Sequence, residues 1–224
     1  MGAYTTGKKK KVTKDLIFID CGLGSKSIAI LAKLLSDCDA VSGLDLSKNL
    51  IDVKGGKSLA AIVRSSNVKE LRWVKMSPAM SKAAITIPVN DKKVKKLDFS
   101  NSDMKMGPCE AAMVAGALYT LPNCREIDLS NTTLTNPIKA SDRESGEDRE
   151  MGGFDDLCDA MKNNSLNVVT LVNSGLGPRA EQSLAHFLQN NGTCSSLNVL
   201  GNPFKKGVQN LIATYKQQET LNTM

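Results

Sequence analysis

One short pattern returns along the chain at a nearly fixed interval, and that recurrence limits the folds open to it. Its clearest copy runs from Cys124 to Leu134 and places Ile127, Leu129 and Leu134 on the apolar positions of L-x-x-L-x-L-x-x-N/C-x-L. Cys124 fills the first position, and Thr132 stands where Asn or Cys is expected. A strand turns Ile127 and Leu129 to one face and Glu126, Asp128 and Ser130 to the other. The pattern begins seven times, at Thr13, Val41, Val68, Val94, Cys124, Leu166 and Cys194, with spacings of 28, 27, 26, 30, 42 and 28 residues. The paired inward residues are Leu16/Phe18, Leu44/Leu46, Leu71/Trp73, Leu97/Phe99, Ile127/Leu129, Val169/Leu171 and Leu197/Val199. Leu23, Ile51, Pro78, Met104, Leu134, Leu176 and Phe204 follow them at the spacing the pattern demands.

On these residues the chain after position 12 resembles a leucine-rich repeat protein. Repeats of 26 to 30 residues hold one strand and one helix each. Helix-containing repeats of this length resemble the ribonuclease-inhibitor-like subfamily, which includes the Ran GTPase-activating protein, tropomodulin-like actin regulators and immune-receptor sensor domains. The resemblance implies an α/β solenoid, a horseshoe of about seven β-α repeats with a parallel concave sheet and convex helices. Strands stack about 4.8 Å apart and helices need about 10 Å, so such an array bends with its strands inside. A family so varied in its partners fixes architecture better than function.

Individual repeats depart from the pattern in readable ways. In repeat one a helix is expected from about Ser25 to Leu35, capped by Ser25. In repeat two Gly56-Lys57-Ser58 matches the end of a phosphate loop, but Ile51 stands where that motif needs its first glycine. Repeat three places Trp73 in an inward slot, where it reads as core. Its segment 83–89 is β-branched and holds Pro88, so a helix there is short or absent. Repeat four restores a helix from about Pro108 to Leu121, repeat six starts one at Pro178, and the last helix holds Val208, Leu211, Ile212 and Tyr215. The long interval between repeats five and six is an acidic loop insertion at about 136–153, expected to be mobile.

Residues 1–12 lack apolar periodicity and read as a disordered basic tail, leaving 13–224 as the repeat domain. Three readings fit the tail: a solvated charge run, a nuclear-localisation patch at Lys8 to Lys11, or an acylation site at Gly2, with Thr6 completing M-G-x-x-x-[ST]. No apolar run of about 18 residues occurs, and none of the secretory kind follows the lysines. The six cysteines form no C-x-x-C pair and read as reduced core residues, which places the protein in the cytoplasm, with a nucleus or a membrane reached only through the tail. The open strand edge at Leu16 to Asp20, with Ile17 and Ile19 outward, is expected to be covered by the tail, another chain or self-association.

Net charge is +6, yet the outward strand positions carry seven acids (Asp15, Asp20, Asp45, Glu70, Asp98, Glu126, Asp128) against four bases (Lys48, Arg72, Lys75, Lys96). That balance argues against nucleic acid in the concavity, since phosphate binding needs clustered Lys and Arg. A protein partner with a basic or mixed surface fits better, contacting Asp45, Glu70, Arg72, Asp98, Glu126, Asp128, Asn131, Thr170, Asn173 and Asn198. The leading expectation is a non-catalytic interaction scaffold, alone or as a subunit of a larger assembly. No catalytic motif, cofactor site or metal-ligand cluster is present in the sequence, and the lone His186 reads as structural. The alternatives are a GTPase activator of the Ran-directed type, needing an arginine such as Arg179 or Arg72, and an adaptor targeted by its tail.

Overall fold

The computed structural model describes residues 14–38, 40–65, 68–77, 83–100, 106–136 and 147–204. In chain order the elements are β1 (Lys14–Ile17), α1 (Ser25–Ser36), β2 (Val41–Asp45), α2 (Val53–Arg64), β3 (Trp73–Met76), β4 (Ile85–Pro88), β5 (Lys96–Asp98), α3 (Pro108–Leu118), β6 (Glu126–Asp128), α4 (Gly152–Lys162), β7 (Val168–Thr170), α5 (Pro178–Asn190) and β8 (Ser196–Asn198). The result is a mixed α/β, leucine-rich-repeat-like arrangement with parallel strand pairs on one side and helices on the other. Period-2 alternation does the sorting: Leu44, Leu46, Leu97, Ile127, Leu129, Val169 and Leu171 are buried, while Asp98 and Glu126 between them are exposed.

Each regular strand ends in the same kind of turn. Asn49 Nδ2 donates to the carbonyls of Phe18 (2.6 Å) and Leu46 (2.9 Å), and its Oδ1 accepts from the amides of Cys21 (3.1 Å) and Leu23 (2.9 Å). Asn202 repeats this on the carbonyls of Leu171 and Val199 and the amides of Ser174 and Leu176. In between, Thr132 and Ser174 each bond the Leu129 carbonyl through a hydroxyl. The residue before this position takes positive φ at Asp20, Lys48, Asn131, Asn173 and Gly201, the side chains best suited to it being Asn, Asp and Gly. Asn49, Ser174 and Asn202 thus each satisfy the backbone of two repeats, which fixes their stacking.

The strand layer is not one continuous parallel sheet, contrary to the expectation from sequence. It is two four-stranded sheets, β1-β2-β3-β4 and β5-β6-β7-β8, and β3 pairs with β4 antiparallel. The cause lies in repeat three, where Ile85, Thr86 and Ile87 favour strand over helix and fold back on β3. Pro88 has no amide to donate and suits an edge, so the sheet stops at β4. Register shifts with it: β2 places Gly43 opposite Trp73 and Leu44 opposite Val74, so the inward pair of repeat three is Val74/Met76 and not Leu71/Trp73.

The helix layer, by contrast, runs unbroken, because α2 packs directly on α3 across the missing helix. Glycines make the approach close: a Cβ on Gly56 would lie 2.5 Å from the Cys109 carbonyl oxygen, and one on Gly116 2.5 Å from Ala60 Cα. Wedged between α2 and α4, α3 is buried from Cys109 to Leu118 and carries no polar face apart from Glu110. That carboxylate accepts the Gly107 amide at 2.9 Å, and burial pushes its pKa up.

Local expectations fared unevenly. The N-cap of α1 is Gly24, not Ser25, whose hydroxyl instead bonds the Asp52 carboxylate that caps α2 through the Gly55 amide. Helix α3 ends at Leu118. Of the acidic insertion, 137–146 lies outside the described residues, but its end is docked. Buried Asp148 accepts from the amides of Gly177 (2.6 Å), Arg179 (2.8 Å) and Ala180 (2.9 Å), capping a helix whose own N-cap is a glycine. The tail, Gly2, Pro78, Met104 and the last expected helix also lie outside the described residues.

Candidate interaction face

The open side of the second sheet carries two rows set by its register. Lys96, Glu126, Val168 and Ser196 form one, and Asp98, Asp128, Thr170 and Asn198 the other. Five of the residues expected there (Glu126, Asp98, Asp128, Thr170 and Asn198) are therefore brought together on adjacent strands. Asn131 and Asn173 sit just beyond in positive-φ turns, with their side-chain amides 3.5 Å apart.

Asp45 stands apart, on the first sheet, with Lys75 and then Thr86 between it and the break. Glu70 and Arg72 precede β3 and leave the open wall to Trp73 and Lys75. Arg72 is turned onto the carbonyls of Lys69 and Leu71 and pairs with Glu70 at 3.4 Å, so it does not stand between Asp45 and Asp98 as the repeat spacing predicts. Val74, expected outward, is buried.

The acids of the wall have local work. Asp45, Asp98 and Asp128 each accept the amide of the serine two residues on, at 3.0 to 3.1 Å, closing a turn at the strand end. The hydroxyls of Ser47 and Ser100 add a second bond at 2.6 and 2.7 Å. Lysines from the open wall complete two of the three: Lys75 lies 3.3 Å from Asp45, and Lys96 lies 2.9 Å from Asp98. The Lys96 ammonium and the Ser100 hydroxyl hold the Asp98 carboxyl down at about 2. For Asp45, burial opposes ionisation, but Ser47 and Lys75 outweigh it and its pKa is lowered. Asp128 has the turn bond without a lysine, and Glu126 is exposed, so the negative character of the wall is concentrated on these two.

What the sequence reading missed is Trp73. Instead of filling the core, its indole lies half-buried on the open face, over Gly43 of β2; a side chain on Gly43 would collide with the ring. Across from it on β4 stands Pro88, and on the other side, beyond Gly43, β1 presents Asp15. A signal existed: glycine at an outward strand position marks a close neighbour, and the β-branched run 85–89 marks a strand where a helix was due.

Among the described residues no group of three or more His, Cys, Asp or Glu side chains is placed to hold a metal ion, and no helix is long and apolar enough to cross a membrane. Cys109, Cys124, Cys158 and Cys194 are buried free thiols, whereas Cys21 and Cys38 are exposed and do not belong to the core. Arg179, the other arginine weighed for GTPase activation, leans 3.4 Å from the Asp148 carbonyl.

No family model matches the chain, and no curated protein matches it. Among solved structures, the tropomodulin C-terminal domain of Caenorhabditis elegans is similar at 11% identity and a TM-score of 0.39, over 89% of this chain and 95% of that one. A leiomodin-1 structure, actin-binding site 2, is similar at 11% identity and 0.29, over 93% and 84%. An internalin from Listeria monocytogenes gives 13% identity and 0.25, over 82% of this chain and 48% of that one. At these TM-scores the likenesses bear no weight, and the repeat architecture rests on the chain's own strands, turns and helices.

Proposed function

We propose that this protein is a non-catalytic interaction scaffold, a ribonuclease-inhibitor-like horseshoe of about seven repeats that holds a partner protein against its strand side. The observation that carries this reading is Trp73, presented over Gly43 and beside Pro88 instead of in the core. Aromatic side chains in such positions dominate binding energy, because they bury large area at little entropic cost. The row Asp98, Asp128, Thr170 and Asn198 supplies polar and negative contacts at one strand per repeat. It suits a basic or mixed partner surface, where charge complementarity raises the encounter rate and rejects wrong partners. Such a scaffold works in the cytoplasm, alone or within a larger assembly.

Quantitative affinity capture from the native cell tests this with two variants, Trp73→Ala and the pair Asp98→Lys with Asp128→Lys. Trp73→Ala leaves the strand-end turns intact, whereas the pair also removes the turn bonds to Ser100 and Ser130 and the Lys96 ion pair, so capture by each variant is read beside its own thermal midpoint. Partners held at the face are depleted by Trp73→Ala about thirtyfold, the size of a loss of about 2 kcal/mol. An unchanged set of partners at unchanged strength with both variants would remove the open face as the contact surface.

A further inference from the structure

The positive charge of the protein gathers at one rim, where each helix hands over to the next strand. There the loops of repeats three to five carry Lys69, Lys92, Lys93, Lys95 and Lys96, all exposed. Side chains lock these loops together: Asn90 Nδ2 donates to the carbonyls of Val68 and Leu71, the Asn90 amide donates to the Thr120 hydroxyl, and Asn123 Nδ2 donates to the Lys92 carbonyl at 2.7 Å. The lysines are therefore displayed from a braced backbone.

The acids on the rim are engaged or few. Glu70 pairs with Arg72, Asp91 takes the Lys93 amide at 2.8 Å, and Glu126 is the third. Lys69, Lys92, Lys93 and Lys95 have no ion pair among the described residues. The arginines nearby are already occupied: Arg64 lies 3.9 Å over the Tyr119 ring, Arg72 and Arg125 are turned onto backbone carbonyls. The cationic donors left unengaged on this rim are thus lysine ammoniums, compact charges without the planar fork that reads phosphates two at a time. The chain also enters β1 at this rim, at Lys14.

We propose that the rim formed by Lys69, Lys92, Lys93 and Lys95 docks on an anionic lipid surface, leaving the strand wall free for its protein partner. A row of unpaired lysines on a braced edge matches the electrostatics of an anionic leaflet. An acyl chain at Gly2 would supply the second signal that stable anchoring needs. Nucleic acid fits less well, since the arginines that would grip phosphate are spent within the protein.

Flotation of the full chain with vesicles of phosphatidylcholine, with and without phosphatidylserine, tests the proposal. The expected result is binding to the anionic vesicles alone, weakened by added salt. Changing Lys92, Lys93 and Lys95 together to Gln should cost roughly 100-fold in partition, the fold-change for about 1 kcal/mol per lysine. Thermal midpoint should not move, because all three side chains are solvated. Changing Lys8 to Lys11 to Ser should leave a rim-dependent part of the binding. Wild-type partition by the rim variant, no binding to anionic vesicles, or tighter binding to duplex DNA than to those vesicles would each overturn the proposal. None of these outcomes bears on whether Trp73 contacts a protein.

Discussion

The two sheets of the strand layer differ in what stands behind them, and the difference explains which sequence signals can be trusted. Behind the second sheet every link between strands passes through a helix, and β5 to β8 stay parallel and in register. In the first sheet the link after β3 is itself a strand, the pairing turns antiparallel and the register slips. Strand position therefore follows from the segment that returns the chain, as well as from the strand's own alternation. Continuity passes to the helices, where glycines let α2 and α3 close the gap that the missing helix would leave.

The contrast can be broken at its ends. Phe187 is fully buried behind the second sheet, whereas Leu16 on the outermost strand of the first is half-buried. Phe187→Ala should cost about 3–5 kcal/mol in urea unfolding. Leu16→Ala should cost roughly 1 kcal/mol, since only part of its area is removed from water. Equal losses would mean that the first sheet is packed as tightly as the second. At the seam between them, Gly116→Val forces three carbons into space held by Ala60 and should cost about 2–3 kcal/mol. A loss near zero would show that α2 and α3 do not touch there.

The smallest effect sharpens the electrostatic side of the comparison. Asp98 titrates at about 2 in the folded protein, below its ordinary 3.8, chiefly through Lys96. A depressed carboxylate contributes stability above its unfolded pKa and loses it as pH falls from 3.8 toward 2. Lys96→Met should move the Asp98 titration upward in a carboxyl NMR experiment. An unmoved titration would assign the shift to the Ser100 turn alone.

Much of this was legible because burial at period 2 and the Asn or Thr of the turn leave marks at fixed offsets. Ile127, Leu129, Asn49 and Asn202 could be placed from spacing alone, and so could the row from Asp98 to Asn198. The slip in repeat three could not be placed from alternation, which Leu71/Trp73 and Val74/Met76 both satisfy; Gly43 and the run 85–89 are its only marks in the sequence, and pairing with β2 decides it. Nor could the capping of α5 by Asp148, a contact between residues 29 to 32 apart that no local motif announces.

Trp73 is the only tryptophan, and its position depends directly on that slip. Acrylamide quenching of its fluorescence reads the register without any substitution. With the indole over Gly43 on the open face, quenching should be substantial and emission shifted toward that of solvated indole. Blue emission with negligible quenching would put Trp73 back in the core and the split strand layer with it.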